Sequence, residues 1–226
     1  MKFTTRLIAA ACMLVLAGSI ITPAVQAGTV RHRQTGVWKV AMIWYEKLVD
    51  RWAGSLGVSV PAWVHVDDDA LVCGAVLPMP TGAGYCIRDD TVYISMEAVR
   101  NWEDAGKLSL LFITSHEFGH HLQDLGTPDK AAFAVALDAA GSVAVENQAN
   151  CVAGVIIRWT SDNALLPVTD ADIERLEMRM LAGVEDAVHG SARAMYNAFV
   201  LGERTGNIET CQAIGVPLAV SHGANH

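Results

Sequence analysis

Positive charge is scarce in this sequence. Its 226 residues hold 16 lysines and arginines against 24 aspartates and glutamates, a formal net charge of −8. A chain so balanced lacks the basic footprint that nucleic-acid binders present to phosphate. Charged residues of both signs make up only 18%, against 52% hydrophobic, which excludes a disordered chain. No apolar run reaches the about 20 residues of a spanning helix; the longest, Leu7 to Ile21, stops at 15. Cysteine never occurs in the CxxC spacing typical of structural zinc sites. There is no internal repeat and no low-complexity segment. The six tryptophans sit at helical or strand positions and read as core rather than as a sugar platform.

The short apolar run reads as an address. Lys2 and Arg6 precede it, Pro23 ends it, and Val25-Gln26-Ala27 offers small residues at −3 and −1 of a cleavage site. Residues 1–27 are therefore expected to be a signal peptide, and residues 28–226 a single extracytoplasmic domain, periplasmic or secreted, with no stable membrane span after cleavage. Cleavage leaves 14 bases against 24 acids, a net charge of −10, and removes Cys12. The remaining four cysteines, Cys73, Cys86, Cys151 and Cys211, permit two disulfides in three connectivities. Pairing Cys73 with Cys86 would close a small Pro/Gly-rich loop and leave Cys151 to Cys211.

The pattern predicts an α+β fold, a small mixed or antiparallel sheet followed by a mainly helical part. Val37 to Gly54 carries apolar residues at helical spacing (Val37, Val40, Ala41, Trp44, Leu48, Trp52). Strand-like runs follow at Val58–Val60, Trp63–Val66, Leu71–Val76, Tyr85–Ile87 and Val92–Ser95, with a hairpin turn at Arg88–Asp90. Val92–Ser95 is a candidate sheet edge for pairing with an extended substrate. Helices are expected over Lys107–Leu125, over Lys130–Trp159 with a bend near Gly141, from the Thr169/Asp172 capping box through Val188, and over Ser191–Glu203. The tail, residues 217–226, reads as flexible. Asp67-Asp68-Asp69 with Asp89-Asp90 could bind calcium, but the spacing of an EF-hand is absent and a solvated turn explains them better.

The chemistry sits in His116-Glu117-Phe118-Gly119-His120, which follows an apolar run. Four residues of helix advance about 400°, so the two histidines share a face one turn apart and could hold one zinc ion. Glu117, about 100° round, could act as a base toward a water there. At this composition the HExxH pattern should arise by chance roughly 0.01 times, so it counts as evidence. His121 points about 140° away from His116 and is not expected to be a ligand. A third ligand is needed. Gly126 stands where a histidine would continue the metzincin pattern, which removes that option. Glu146 on a later helix is the candidate. Asp124 lies too far along the histidine helix, and spacing does not exclude Asp138.

His116-Glu117-Phe118-Gly119-His120-His121-Leu122-Gln123, with Glu146-Asn147-Gln148-Ala149-Asn150-Cys151-Val152-Ala153-Gly154, resembles the paired HEYGHHVQ-like and ELQADCFAG-like helices of the bacterial neutral zinc metallopeptidases. Cys73-Gly74 with Tyr85-Cys86 and Val92-Tyr93-Ile94 looks like that family's cysteine-flanked hairpin, and His189-Gly190-Ser191-Ala192 with Cys211 its C-terminal block. The resemblance runs from about Trp38 to Ile214. It implies a zincin-like fold, one Zn2+ per chain on His116, His120 and Glu146, and Glu117 as base. It also implies Cys73–Cys86 and Cys151–Cys211 disulfides. Asn150 departs from it, because the family carries aspartate there. An amide can still orient a ligating histidine, but it brings no charge and could weaken the site about 10–100-fold.

These readings converge on an exported zinc peptidase acting on peptide or protein substrates. His189 is the candidate donor to the developing oxyanion. A weakly active or inactive zinc-stabilised binding or assembly protein on the same scaffold is the alternative.

Overall fold

Gly36–Ser55 forms the first helix, α1, and the face it buries matches the expected one at Leu48 and Trp52 but not at Val40 and Trp44. Met42, Tyr45, Leu48, Val49, Trp52 and Ala53 are in the core, whereas Val40 and Trp44 are exposed. The helix is apolar around most of its circumference, so spacing alone leaves its rotation undetermined. The structure is a computed structural model that describes residues 36–66, 71–73, 75–76, 82–103, 106–129, 139–183, 186 and 188–219. The proposed signal peptide, the calcium candidate Asp67–Asp69 and the rival ligand Asp138 lie outside the described residues.

The described elements run α1, β1 (Ala62–Val66), β2 (Leu71–Val72), β3 (Ala75–Val76), β4 (Ala83–Cys86), β5 (Thr91–Ser95), α2 (Met96–Glu103), α3 (Lys107–Gly126), α4 (Ala139–Asp162), α5 (Asp170–Leu181), α6 (Ala192–Thr205) and α7 (Ile208–Gln212). The result is α+β, as the pattern predicts. The main sheet has three strands in the order β1-β5-β4, with β1 parallel and β4 antiparallel to β5. Val92 and Ile94 of β5 are buried, and the strand is central. The edges among the described strands are β1 and β4, which corrects the expectation that Val92–Ser95 is a sheet edge. A continuously apolar strand wants both flanks paired, whereas Ala83-Gly84 can tolerate an open one.

Other differences have local causes. Val58–Val60 is not a strand, because Leu56, Gly57 and Val58 are spent on turns that close α1. Leu71–Val76 breaks into the antiparallel pair β2 and β3 at Cys73, which has φ of 55°. The capping box forms as expected, with the Thr169 side chain accepting from the Asp172 N–H. Its helix nevertheless ends at Leu181 rather than Val188, and Asp186 and Gly190 then pair in an antiparallel bridge. Two short helices, α2 and α7, were not anticipated. The expected flexible tail is docked at its start, since Leu218 is buried and the Ala219 N–H donates to the Leu122 carbonyl. Of the helix expected over Lys130–Trp159, residues 130–138 lie outside the described part.

Two helix contacts position the centre. A Cβ on Gly119 of α3 would lie 2.8 Å from Ala149 Cα of α4, so glycine here permits close approach of the two helices. A Cβ on Gly202 of α6 would lie 1.9 Å from the Cys151 carbonyl oxygen of α4. Cys73–Cys86 ties the β2–β3 turn to β4, and Cys151–Cys211 ties α4 to α7 across 60 residues. On the other side, α1 holds the sheet through polar contacts: His65 and Glu46, both buried, meet at 2.6 Å, and Trp63 Nε1 donates to Asp50 at 3.0 Å.

Candidate metal centre

Leu108, Leu110, Leu111, Phe112 and Ile113 sink the first turns of α3 into the core. This anchors the helix so that His116 and His120, one turn apart, present Nε2 atoms 3.2 Å from each other. From α4, Glu146 approaches both, with 3.1 Å to His116 Nε2 and 3.5 Å to His120 Nε2. One ligand atom from each of the three residues falls within 4.8 Å of the others. Two neutral nitrogens and one carboxylate oxygen form a zinc-type donor set, the pattern of a site that leaves one position open.

The other ring nitrogens are committed. His116 Nδ1–H donates to Asn150 Oδ1 at 2.9 Å, and His120 Nδ1–H donates to Gln123 Oε1 at 2.8 Å. Both histidines are thereby held with Nε2, the atom that would ligate a metal, turned inward. Gln123 is itself fixed, because its Nε2 donates to the Val145 carbonyl and to Gln148 Oε1. Gln148 in turn donates to the carbonyls of Cys211 and Val216. The sequence motif contains both glutamines, but only the fold shows that they back a histidine. Asn150 is buried, and its Nδ2 has no partner among the described residues.

Electrostatics differ among the three acids and bases. Burial raises the Glu146 carboxyl, but the His120 and His116 rings outweigh it and hold the group well below the usual carboxylate range. For His120 burial acts downward, yet the Glu146 carboxylate pushes the imidazole up to about 9. Burial pushes Glu117 upward and Glu146 adds to this, while His116, His120 and the Tyr85 backbone N–H oppose. A raised carboxyl suits a group that must take and return a proton near neutral pH.

The surrounding residues form a cleft. A cavity of about 220 Å³ is lined by Gly84, Tyr85 and Ile87 together with His116, Glu117, His120, Glu146 and His189. Ala83 borders it as well. His189 therefore faces the same space as the histidines, although it lies on an exposed loop. Its Nδ1 meets the Asp186 carboxylate at 2.9 Å, leaving Nε2 for another partner. That carboxylate, opposed by burial, is lowered by the backbone N–H and ring of His189. His121 is fully buried with its ring nitrogens on Asp90 and the Ser59 carbonyl, away from the cluster. Asp124 and Asp90 both contact the Tyr85 hydroxyl, at 2.8 and 2.9 Å, so neither belongs to the cluster. Tyr85 thus has its hydroxyl on two aspartates and its backbone N–H toward Glu117.

Comparison with known proteins agrees in kind. A family model described as "Putative neutral zinc metallopeptidase" matches residues 68–214, more than half of the chain. Uncharacterized proteins of Mycobacterium bovis and Mycobacterium tuberculosis are 28% identical over 158 residues, covering 58% of this chain and 54% of theirs. The chain thus spans about half the length of these curated relatives. No solved structure matches at a significant level.

Proposed function

The chain belongs to the neutral zinc metallopeptidase family, and on that premise we propose that it is an exported zinc endopeptidase. The observation that carries the proposal is the convergence of His116, His120 and Glu146 within 4.8 Å, with Glu117 on the wall of the same cavity. His116, His120 and Glu146 would hold the ion, which when bound supplies a Lewis acid for a peptide carbonyl and an acidified water. Asn150 and Gln123 keep the imidazoles oriented. Glu117 takes the proton of the attacking water and returns it to the leaving amine, a double duty its raised carboxyl favours. His189, steadied by Asp186, donates to the developing negative charge from the lining of the same cavity. The edge of β4 at Ala83 and Gly84, which borders the cavity, is where an extended peptide would pair. Two disulfides, and the lack among the described residues of a helix long and apolar enough to cross a membrane, are consistent with an extracytoplasmic protein.

The test combines metal content by mass spectrometry with cleavage of casein and a peptide library. The native protein should carry one zinc and cleave; Glu117→Gln should keep zinc and lose at least about 100-fold of the rate. Glu146→Ala should lose zinc. Tight zinc with no cleavage by the native protein would favour the binding or assembly alternative, and unchanged cleavage by Glu117→Gln would remove this residue as the base.

A further inference from the structure

A second cavity of about 490 Å³ opens beside the first. The two share Ala83, His116, Glu117 and His189, so they form one continuous cleft. The wall of the second is apolar, built from Trp102, Phe112, Ile113, Met180 and Met195. Trp102 stacks on Phe112 with an interplanar angle of 18°, and the Arg179 guanidinium lies over the indole at 4.4 Å from its ring centre. Phe112, Ile113 and Met180 are buried, which gives this wall a fixed shape.

From these features we propose that this cavity is the specificity pocket of the enzyme, receiving a large apolar side chain from a substrate residue next to the scissile bond. The inference rests on the peptidase reading above. Three observations determine the occupant. Gly82 borders the apolar cavity, Gly84, Tyr85 and Ile87 border the metal cavity and Ala83 borders both, so the edge strand β4 runs from one to the other. A peptide paired to that edge with its carbonyl at the cluster brings a neighbouring residue, about 3.3 Å per step along the strand, to the apolar cavity. The volume suits an aromatic or long aliphatic side chain, while Arg179 and Asp186, of opposite sign in the same lining, give neither a cationic nor an anionic side chain an advantage. Pairing antiparallel to β4 assigns the pocket to the residue after the scissile bond, and parallel pairing to the residue before it.

The experiment uses the purified full chain loaded with zinc and a peptide library varied at both flanking positions. Native protein should prefer Phe, Leu or Met over Gly, Asp or Lys by about 10-fold or more at one of them. Ala182 lines the pocket and is exposed, so Ala182→Trp should fold normally, fill the space and shift the preference to Gly and Ala. Circular dichroism and zinc content check that the variant is intact. A flat native profile at both positions, or an unchanged profile in Ala182→Trp, overturns the pocket. A separate measurement distinguishes failure of the pocket from failure of the peptidase reading: binding of N-acetyl-phenylalaninamide against N-acetyl-glycinamide, followed by tryptophan fluorescence. If no peptide is cleaved but the phenylalanine probe binds the native protein at least about 10-fold better than Ala182→Trp, the pocket stands and the peptidase reading falls. Equal binding of both probes removes the pocket.

Discussion

Asn150 is the residue at which this chain's chemistry departs from the pattern it otherwise resembles. Its amide oxygen accepts from His116 at 2.9 Å, as a carboxylate would, but with no negative charge behind the imidazole. Asn150→Asp should therefore make His116 a stronger donor and tighten zinc by about 10–100-fold. Competition against a chelator measures this, and an unchanged affinity would show that charge behind His116 is irrelevant. His120 adds a proton to the account. Without metal its pKa is raised from 6.5 to about 9, so its interaction with Glu146 stabilises the fold fully below pH 6.5. That contribution is lost as pH rises through about 9. Zinc needs the neutral ring, so it must displace the proton, and zinc affinity should climb with pH until about 9. Calorimetry in buffers of different ionisation enthalpy should detect the released proton; a pH-independent affinity between 6.5 and 8.5 would contradict the coupling.

At the scale of elements, the centre depends on how closely α3 and α4 approach. Gly119 faces Ala149 with no room for a Cβ, so Gly119→Val should push the helices apart. The expected cost is about 1–3 kcal/mol, together with weaker zinc because Glu146 moves with α4. Urea unfolding and metal titration read the two effects separately. Gln123 links the same helices through His120, Val145 and Gln148. Gln123→Leu should lower zinc affinity about 10–100-fold, and Gln123→Glu should restore the acceptor toward His120. A loss that Glu does not repair would assign Gln123 a packing role only. Much at this scale was legible beforehand: the histidine helix, the capping box at Thr169, the turn at Arg88–Asp90 and the mixed fold class all follow from local periodicity and turn chemistry. The rotation of α1, the central place of β5 and the helix end at Leu181 were not. Each is decided by a neighbour in space rather than by neighbours in sequence.

For the whole molecule, the covalent ties are the main lever. In the loop-entropy view, Cys73–Cys86 and Cys151–Cys211, separated by 13 and 60 residues, contribute about 3 and 4 kcal/mol. Reducing the second should lower the melting temperature by roughly 8–16 °C in a domain of this size. It should also loosen zinc, because Cys211 lends its carbonyl to Gln148 and so to the pair that holds His120. Scanning calorimetry with and without reductant, on zinc-loaded and chelator-treated protein, tests both statements. Equal zinc retention after reduction would separate the disulfide from the centre.

The sequence by itself determined the acidic, apolar-rich character of the chain and the unit His116-Glu117-His120, because residues one turn apart on a helix share a face whatever surrounds them. It also made Glu146 the foremost candidate for a third ligand, without the means to exclude Asp138. Only the tertiary structure decided that Glu146 comes within 3.1 Å of His116, that two glutamines back His120, and that β5 is the central strand with β4 at an edge. Those relations depend on the close approach of α3 to α4 and on the order of strands. Such distances are set by packing between segments remote in sequence, which no local periodicity encodes.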